Sequence, residues 1–312
     1  MAADKKAISV IVPVFNSQDI LKDLVSRISA AVGIICDTYE IVLVNDGSRD
    51  QSWQVIQDLS KNQPHIVGVD LMRNYGQHNA LLCGIRVAKF DYLITMDDDL
   101  QHPPEEIHKL VDQIDKGFDV VYGIPQKLVH SPWRNLSSKM TKYFLAKILG
   151  INRIKYLSAF RAIRRNIRNS FEQFDSPSVI IDALLTWGTE KFGIVEVEEQ
   201  PRFIGHSNYN FRGLIKIFMI VLTGFSTFPL RFASIIGFIF TFFGMAVLIY
   251  VLARTVTEGS IPGFPFLASI ISIFSGVQLF TLGIFGEYLA RIFTRSMNHP
   301  SYIINQTTTD RQ

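Results

Sequence analysis

Asp97-Asp98-Asp99 is the densest concentration of reactive side chains in the chain. It follows the apolar run Tyr92–Met96 and precedes Leu100-Gln-His-Pro-Pro-Glu-Glu106. Adjacent carboxylates repel one another, so a chain that sets three of them where a buried strand ends must supply a cation or a ring of donors. Two readings fit the triplet alone. Hard carboxylate oxygens suit Mg²⁺ or Mn²⁺, and Mg²⁺ usually shares its shell with water and substrate phosphates, which points to a nucleotide diphosphate. The other reading is an acidic cap, with Asp99 favouring the N-terminus of a helix that begins near Pro103.

The elements that must position this triplet alternate in type. Apolar runs at Ile8–Val14, Glu40–Asn45, Ile66–Asp70, Tyr92–Met96 and Asp119–Tyr122 read as strands, separated by amphipathic helical segments at Ile20–Val32, Ser52–Leu59, Asn79–Ala88 and Ile107–Lys116. Alternation of this kind makes a mostly parallel sheet, whose ligands bind outside the carboxyl ends of the strands. Those ends carry Pro13-Val-Phe-Asn16, Asn45-Asp-Gly-Ser48, Asp70 and Asp97–Asp99. Each tip alone is ordinary turn chemistry. Their succession along one sheet favours a nucleotide site, although neither GxGxxG nor GxxxxGK[ST] follows a strand.

Composition separates this chain from an ordinary soluble enzyme. Its 312 residues are 48% hydrophobic and its mean hydropathy is +0.20. The excess lies in two runs without charge, 22 residues from Phe232 to Ala253 and 28 from Gly259 to Gly286, against the roughly 20 that a membrane-spanning helix needs. The second helix should begin near Phe264. Met1-Ala-Ala-Asp-Lys-Lys6 leads directly into a strand-like run, so no cleavable signal is expected.

Charge is also partitioned. Residues 1–122 hold 11 Lys/Arg and 18 Asp/Glu, residues 123–171 hold 11 Lys/Arg and no acid, and the remainder holds 9 and 10. Within the acidless block, Trp133 to Leu149 interleaves cations with apolar residues at helical spacing, as an interfacial helix on anionic lipid does. A basic block also suits nucleic acid, but the adjoining hairpin favours lipid phosphate. The 14 uncharged residues Ile217–Leu230 are too few to span and read as interfacial. Cys36 and Cys83 support neither a disulfide framework nor a zinc site. His78 reads as a donor-site hydrogen bonder or a structural residue. His102 reads as a partner of the carboxylates or a turn residue.

Val10-Ile-Val-Pro-Val-Phe-Asn16, Val44-Asn-Asp-Gly-Ser48, Arg73-Asn-Tyr-Gly-Gln-His-Asn-Ala80 and Asp97-Asp-Asp-Leu-Gln-His-Pro-Pro-Glu105 together resemble the family 2 glycosyltransferases with the glycosyltransferase A fold. With the two apolar runs and Gly283-Ile-Phe-Gly-Glu-Tyr-Leu-Ala-Arg291, the likeness narrows to the polyisoprenyl-phosphate glycosyltransferases, from about Ile8 to Tyr302. That resemblance implies an α/β Rossmann-like sheet followed by interfacial helices and a two-helix transmembrane hairpin. The domains it implies are a catalytic domain over 1–212 (nucleotide-binding half 1–122, acceptor- and membrane-facing half 123–212), an interfacial helix over 213–230, a hairpin over 231–290 and a cytoplasmic tail over 291–312.

The resemblance also implies roles. Asp97, Asp99 and Gln101 would hold Mg²⁺ or Mn²⁺, with Asp98 as the variable middle residue. Asp46, Pro13 and Phe15 would bind the nucleoside, Arg202 and Ser207 would close over the donor diphosphate, and Arg161 would face the acceptor phosphate. Asp99 and Arg161 would be the catalytic pair. Three positions depart from the family pattern: Ser17 where Glu is common, Asn208 where Lys is common, and Ala159 where Asp is frequent. The implied activity is metal-dependent, inverting transfer of a sugar from a nucleotide sugar, a UDP-sugar by expectation, to undecaprenyl or another polyprenyl phosphate. The expected setting is the bacterial inner (plasma) membrane, with both termini cytoplasmic, anionic lipid as a partner, no nucleic acid, and a homo-oligomer, a tetramer by analogy. A polysaccharide synthase lacks its Gln-x-x-Arg-Trp signature here, and a silent lipid- or nucleotide-binding scaffold is the alternative from another class.

Overall fold

The computed structural model describes residues 6–125, 158–177, 179–198, 200, 228–258, 263–297 and 299–309. The chain divides into two compact units, one of Met1–Phe211 with Asn298–Gln312 and one of Arg212–Met297.

In the first unit the apolar runs become strands β1 (Ala7–Val14), β2 (Thr38–Asn45), β3 (Ile66–Leu71), β4 (Tyr92–Thr95) and β5 (Val120–Pro125). They are rich in β-branched residues and buried on both faces, as strands of a covered parallel sheet must be. Between them run α1 (Leu21–Ile35), α2 (Ser52–Asn62), α3 (Gln77–Val87) and α4 (Ile107–Asp115), the last preceded by a 3₁₀ turn at Pro104–Glu106. Strands β6 (Arg161–Arg164) and β7 (Phe192–Val197) and helix α5 (Ile181–Gly188) follow.

The eight-stranded sheet has the order β7-β5-β6-β4-β1-β2-β3-β8, where β8 is Ile304–Thr307. Strands β6 and β8 run antiparallel to their neighbours, and the other pairings are parallel. Ile8, Val10, Val12 and Val14 of β1 pack with Leu21, Leu24, Val25 and Ile28 of α1 in one apolar core. Each such fully buried side chain contributes roughly 1.5–3 kcal/mol. On α3, a Cβ on Gly84 would lie 2.3 Å from Ile11 Cγ2 and 3.1 Å from Val44 Cγ2, so only glycine lets this helix lie on β1 and β2 so closely.

Residues 291–312, expected as a cytoplasmic tail, divide between the two units. Residues up to Ser296 continue the second apolar helix, and the chain from Asn298 belongs to the first unit, where β8 completes the sheet edge beside β3. The alternation in Tyr302-Ile-Ile-Asn-Gln-Thr307 is too weak to announce a strand, because much of its holding power is polar.

In the second unit, α6 (Phe228–Glu258) and α7 (Phe264–Ser296) pack against each other, with Phe240 and Phe274 meeting edge to face at 5.9 Å. Their stretches Pro229–Val251 and Ile273–Ser296 are long and apolar enough to cross a membrane. Phe238, Phe242, Leu279 and Leu289 stand exposed on them, the reverse of a soluble helix pair. The basic stretch over 133–149, Arg202, Ser207 and residues 213–227 of the expected interfacial helix lie outside the described residues, while 228–230 of that segment are the first residues of α6.

Candidate active site

The triplet begins where the β4 ladder ends. The Met96 N–H still donates to the Ile11 carbonyl at 3.2 Å, and the three carboxylates then part company. Asp97 Oδ1 accepts from Gln77 Nε2 at 2.5 Å, at the start of α3. Asp98 Oδ2 accepts from the Phe15 N–H at 3.1 Å and from the Ser17 hydroxyl, tying the loop after β1 to the loop after β4. Asp99 Oδ1 accepts from the Gln101 N–H at 3.1 Å. The turn that permits this last contact passes through Leu100, a non-glycine residue at φ +56° whose side chain is buried. A left-handed leucine costs on the order of 1–3 kcal/mol, and such conformations persist where the surroundings over-determine them. Burial pushes the Asp98 carboxyl above its ordinary range, and the charge of Asp99 adds to this, against the donors Ser17 and Phe15.

Asp98 is therefore more than a variable middle residue: it is the clasp between the first and fourth strand ends. The Ser17 departure from the family pattern has a physical reading as well. A hydroxyl can donate to Asp98, whereas a glutamate at that position would set two carboxylates together.

Asp97 and Asp99, both half-buried, and the amide of Gln101 are a hard oxygen set of the kind Mg²⁺ and Mn²⁺ accept. Among the described residues no three His, Cys, Asp or Glu side chains are gathered for a metal. Such a two-carboxylate set fits a cation that completes its shell with water and diphosphate oxygens. The Gln101 carbonyl also accepts from the Gln200 N–H at 2.8 Å, which brings the chain just ahead of Arg202 to this loop.

A second wall is built on β2 and β3. Asp46 is 3% exposed, and its two carboxylate oxygens accept from the Tyr75 N–H at 2.7 Å and the Gly76 N–H at 2.9 Å. Burial raises its carboxyl while these two donors pull it back. Beside it Gly47 has φ +63°, and a Cβ there would lie 2.5 Å from the Arg73 carbonyl carbon and the Asn74 nitrogen. The turns 46–48 and 73–76 thus form one unit. Asn16 joins it to the first strand, its N–H donating to Ser48 Oγ at 3.0 Å and its Oδ1 accepting from the Arg49 N–H at 2.8 Å. Of the two residues expected to line a nucleoside pocket, Phe15 is 45% exposed, whereas Pro13 lies buried in the sheet opposite Val44.

The expected acceptor-facing arginine is placed differently. Arg161 is 2% exposed, with Nη1 donating to Asp182 Oδ1 at 2.5 Å, and the Tyr122 hydroxyl donates to that same oxygen at 2.9 Å. The guanidinium carbon lies 5.7 Å from the centre of the Tyr122 ring. His78 adjoins the group, with the Ile181 N–H reaching its Nδ1 at 3.5 Å. Burial lowers the His78 pKa, Asp182 opposes that shift and Arg161 reinforces it. This agrees with the structural reading of His78. Asp182 escaped the sequence reading because a lone acid at a helix start looks like a dipole partner. Gln77 escaped it as an unremarkable polar residue. His102 stacks on Phe160 at 5.4 Å, and Ser158 Oγ is 3.5 Å from its Nε2.

The family model described as glycosyl transferase family 2 matches residues 9–171. The undecaprenyl-phosphate 4-deoxy-4-formamido-L-arabinose transferase of Shewanella sediminis is 35% identical over 301 residues, covering 95% of this chain and 91% of the relative. The protein of the same name from Aeromonas hydrophila subsp. hydrophila is 35% identical over 307 residues, covering 97% and 94%. Among solved structures, glucosyl-3-phosphoglycerate synthase from Mycobacterium tuberculosis in complex with Mn²⁺ and UDP-glucose aligns with a TM-score of 0.50 at 18% identity, over 70% of this chain and 77% of that one. Its complex with phosphoglyceric acid aligns at 0.51 with the same identity, over 70% and 78%. These structures share the fold.

Proposed function

Because the chain belongs to glycosyltransferase family 2, we propose that it transfers a sugar from a nucleotide-sugar donor, with UDP as the carrier, to undecaprenyl phosphate at the cytoplasmic face of a bacterial inner membrane. One observation carries this reading. Asp46 stands at the carboxyl end of β2 and Asp97 and Asp99 at that of β4, the two strands that flank β1 in a family 2 sheet whose chain also holds two membrane-length apolar helices. Relatives that match this chain almost end to end carry the name of such an activity.

In this reading the donor base lies against Phe15 and the 46–48 and 73–76 turns, and its diphosphate reaches the loop of Asp97, Asp99 and Gln101. These three residues would hold Mg²⁺ or Mn²⁺, which would supply positive charge for the leaving diphosphate. Gln77 donates to Asp97 Oδ1 and the N–H of Gln101, just past the Leu100 turn, donates to Asp99 Oδ1, so each carboxylate has one oxygen fixed by the chain. Arg202 and Ser207, two and seven residues beyond Gln200, close over the donor.

The acceptor phosphate needs aiming more than deprotonation. A phosphate monoester has its second pKa near about 6 and is largely dianionic at neutral pH, so Ala159 leaves no essential proton without a base. A phosphate oxygen attacks the anomeric carbon from the face opposite the diphosphate, and the carbon–oxygen bond to the diphosphate breaks with its electron pair leaving on the nucleotide. The configuration inverts. Proximity within the membrane interface supplies much of the rate, and the cations Lys139, Lys142 and Lys147 of the acidless block rest on anionic headgroups and draw the lipid phosphate in, whereas Arg161, Arg164 and Arg168 of that block are engaged within the protein. Arg161 faces that phosphate once it gives up Asp182, and until then it organises the core under the loop.

The test is incubation of the full-length protein with undecaprenyl phosphate, Mg²⁺ or Mn²⁺ and a panel of nucleotide sugars, UDP-4-deoxy-4-formamido-L-arabinose among them, with lipid products identified by mass. A lipid-linked sugar phosphate from at least one donor is expected. Nucleotide binding without any lipid product across the panel would return the chain to the scaffold reading.

A further inference from the structure

Asp70, the penultimate residue of β3, is 8% exposed, and its carboxylate is met by side-chain amides on both oxygens. Oδ1 accepts from Asn45 Nδ2 at 2.7 Å, and Oδ2 accepts from Asn305 Nδ2 at 2.8 Å and from Gln306 Nε2 at 3.5 Å. Adjacent residues of a regular strand point to opposite faces, so two neighbours should not share one oxygen. They do so because the register slips between Asp70 and Leu71: Asp70 faces Gln306 and Leu71 faces Ile304, leaving Asn305 as the extra residue of a bulge. Among the described residues this buried carboxylate meets no cation within ion-pair distance, and the amides are what compensate it.

Both covalent exits from this cluster lead into the donor wall. Asn45 is followed by Asp46 and Gly47. On β3, the Met72 N–H donates to the Ile303 carbonyl at 3.0 Å, and Met72 is followed by the Arg73–Gly76 turn that Asp46 holds. The strand itself is anchored on either side of Asn305. Thr308 exchanges two hydrogen bonds with Gly68, both at 2.9 Å, and Ser301 is held by Asp175 at 2.8 Å and by Asn79 at 2.7 Å.

We propose that the strand after the apolar hairpin is a positioning element of the nucleotide-donor site, with Asn305, assisted by Gln306, fixing Asp70 and through Asn45 the 46–48 and 73–76 turns. The inference rests on the donor reading given above. Asp70 is acceptor-only when ionised, so Asn45 must present its Nδ2 to it and is thereby fixed in orientation. With the Asn305 amide removed or replaced by a carboxylate, Asp70 turns toward other donors and the wall loses its register.

The experiment uses full-length protein in detergent and reads UDP binding with Mn²⁺, without lipid, beside the donor and acceptor KM values of the transfer. Asn305→Asp sets a carboxylate against Asp70 and should weaken UDP binding and raise donor KM by roughly tenfold, with acceptor KM little changed. The exchange Asp70→Asn with Asn305→Asp restores a donor–acceptor match, because the amide now on β3 can accept from Asn45 and donate to the carboxylate now on β8. It should recover most of the UDP affinity. Asn305→Ala with Gln306→Ala, which adds no charge, should give a smaller loss in the same direction and serves if the charged variant does not fold. Asn305→Asp with unchanged UDP affinity, or a loss of affinity that the exchange does not repair in a protein of unchanged melting temperature, would overturn the inference. Wild-type protein that binds UDP yet makes no lipid product would overturn only the acceptor reading. Wild-type protein that binds no nucleoside diphosphate would sink the donor reading and this inference with it.

Discussion

Arg161 and Asp182 meet at 2.5 Å inside the catalytic unit, and the Tyr122 hydroxyl donates to the same carboxylate oxygen. Three elements distant in sequence, β5, β6 and α5, are joined through one atom. Removing one partner of a buried pair leaves the other charged and unmatched, at a cost of about 3–5 kcal/mol. Asp182→Ala should therefore lower the melting temperature by many degrees. Tyr122→Phe, which removes one neutral donor, should cost about 1 kcal/mol. If Arg161 engages the acceptor phosphate during turnover, Arg161→Lys should raise acceptor KM while leaving UDP binding intact. Equal donor and acceptor effects would assign Arg161 to the core alone.

Asp99→Asn removes a charged oxygen without changing volume. Transfer should fall by at least ~100-fold, as when a single electrostatic stabiliser is lost elsewhere, while circular dichroism and melting stay close to wild type. Asp98→Asn should be milder in activity, since Asp98 binds the loop after β1, and its effect should follow stability. Wild-type turnover by Asp99→Asn in the presence of chelator would remove the metal assignment.

Asp46 answers two backbone N–H groups with two oxygens. Asn at this position must turn an NH₂ toward one of those donors, leaving a buried N–H unsatisfied at a cost of about 1–3 kcal/mol. Asp46→Asn should thus weaken UDP binding even if the carboxylate never touches the nucleotide. Titration calorimetry of the variant checks this.

His78 titrates below 6.5 in the folded chain because burial disfavours its charged form. As pH falls through 6.5 the unfolded chain takes up a proton that the folded one refuses, so stability declines from there down to the folded pKa. His78→Gln keeps an acceptor for the Ile181 N–H and does not titrate. Between about pH 7.5 and about pH 5.5 the wild type should lose more of its melting temperature than His78→Gln does. Parallel losses would place the acid sensitivity elsewhere.

Arg212, Lys216, Arg231, Arg291 and Arg295 flank the ends of the hairpin, against Arg254 and Glu258 near its turn. By the positive-inside rule the former are expected to face the cytoplasm. Cysteines introduced at Gly259 or Ser260 should react with an impermeant thiol reagent only from the periplasmic side. Labelling of these positions from the cytoplasmic side would invert the topology.

The core of the catalytic unit was legible because its cues are local. β1 through β5 announce themselves as β-branched runs, and α4 by Ile107, Leu110, Val111 and Ile114 on one face. The observed strand ends differ from the expected ones by a few residues, as at Thr38, ahead of the apolar start of β2. β6 was hidden because Arg161 and Arg164 occupy a four-residue strand whose charges are satisfied only by distant partners, Asp182 and the carbonyls of Phe118 and Ile114. The same limit applies to the site. The positions of Asp46, Asp97 and Asp99 at strand ends were readable, whereas the Asp98–Ser17 clasp and the Gln77–Asp97 contact span 81 and 20 residues and belong to the folded chain.

The position of β8 in the chain also sets an order of events during synthesis. Its neighbour Thr308 pairs with Gly68 across 240 residues, so the ribosome has made both apolar helices before the last strand of the sheet exists. Until then β3 is an open edge with unpaired backbone groups, the kind of surface that invites wrong partners. A nascent chain that ends within or just after the second apolar helix holds its catalytic unit one strand short. Completion of the sheet is thereby the last step of synthesis, and a chain truncated after Ser296 should be recognisable by protease attack along β3.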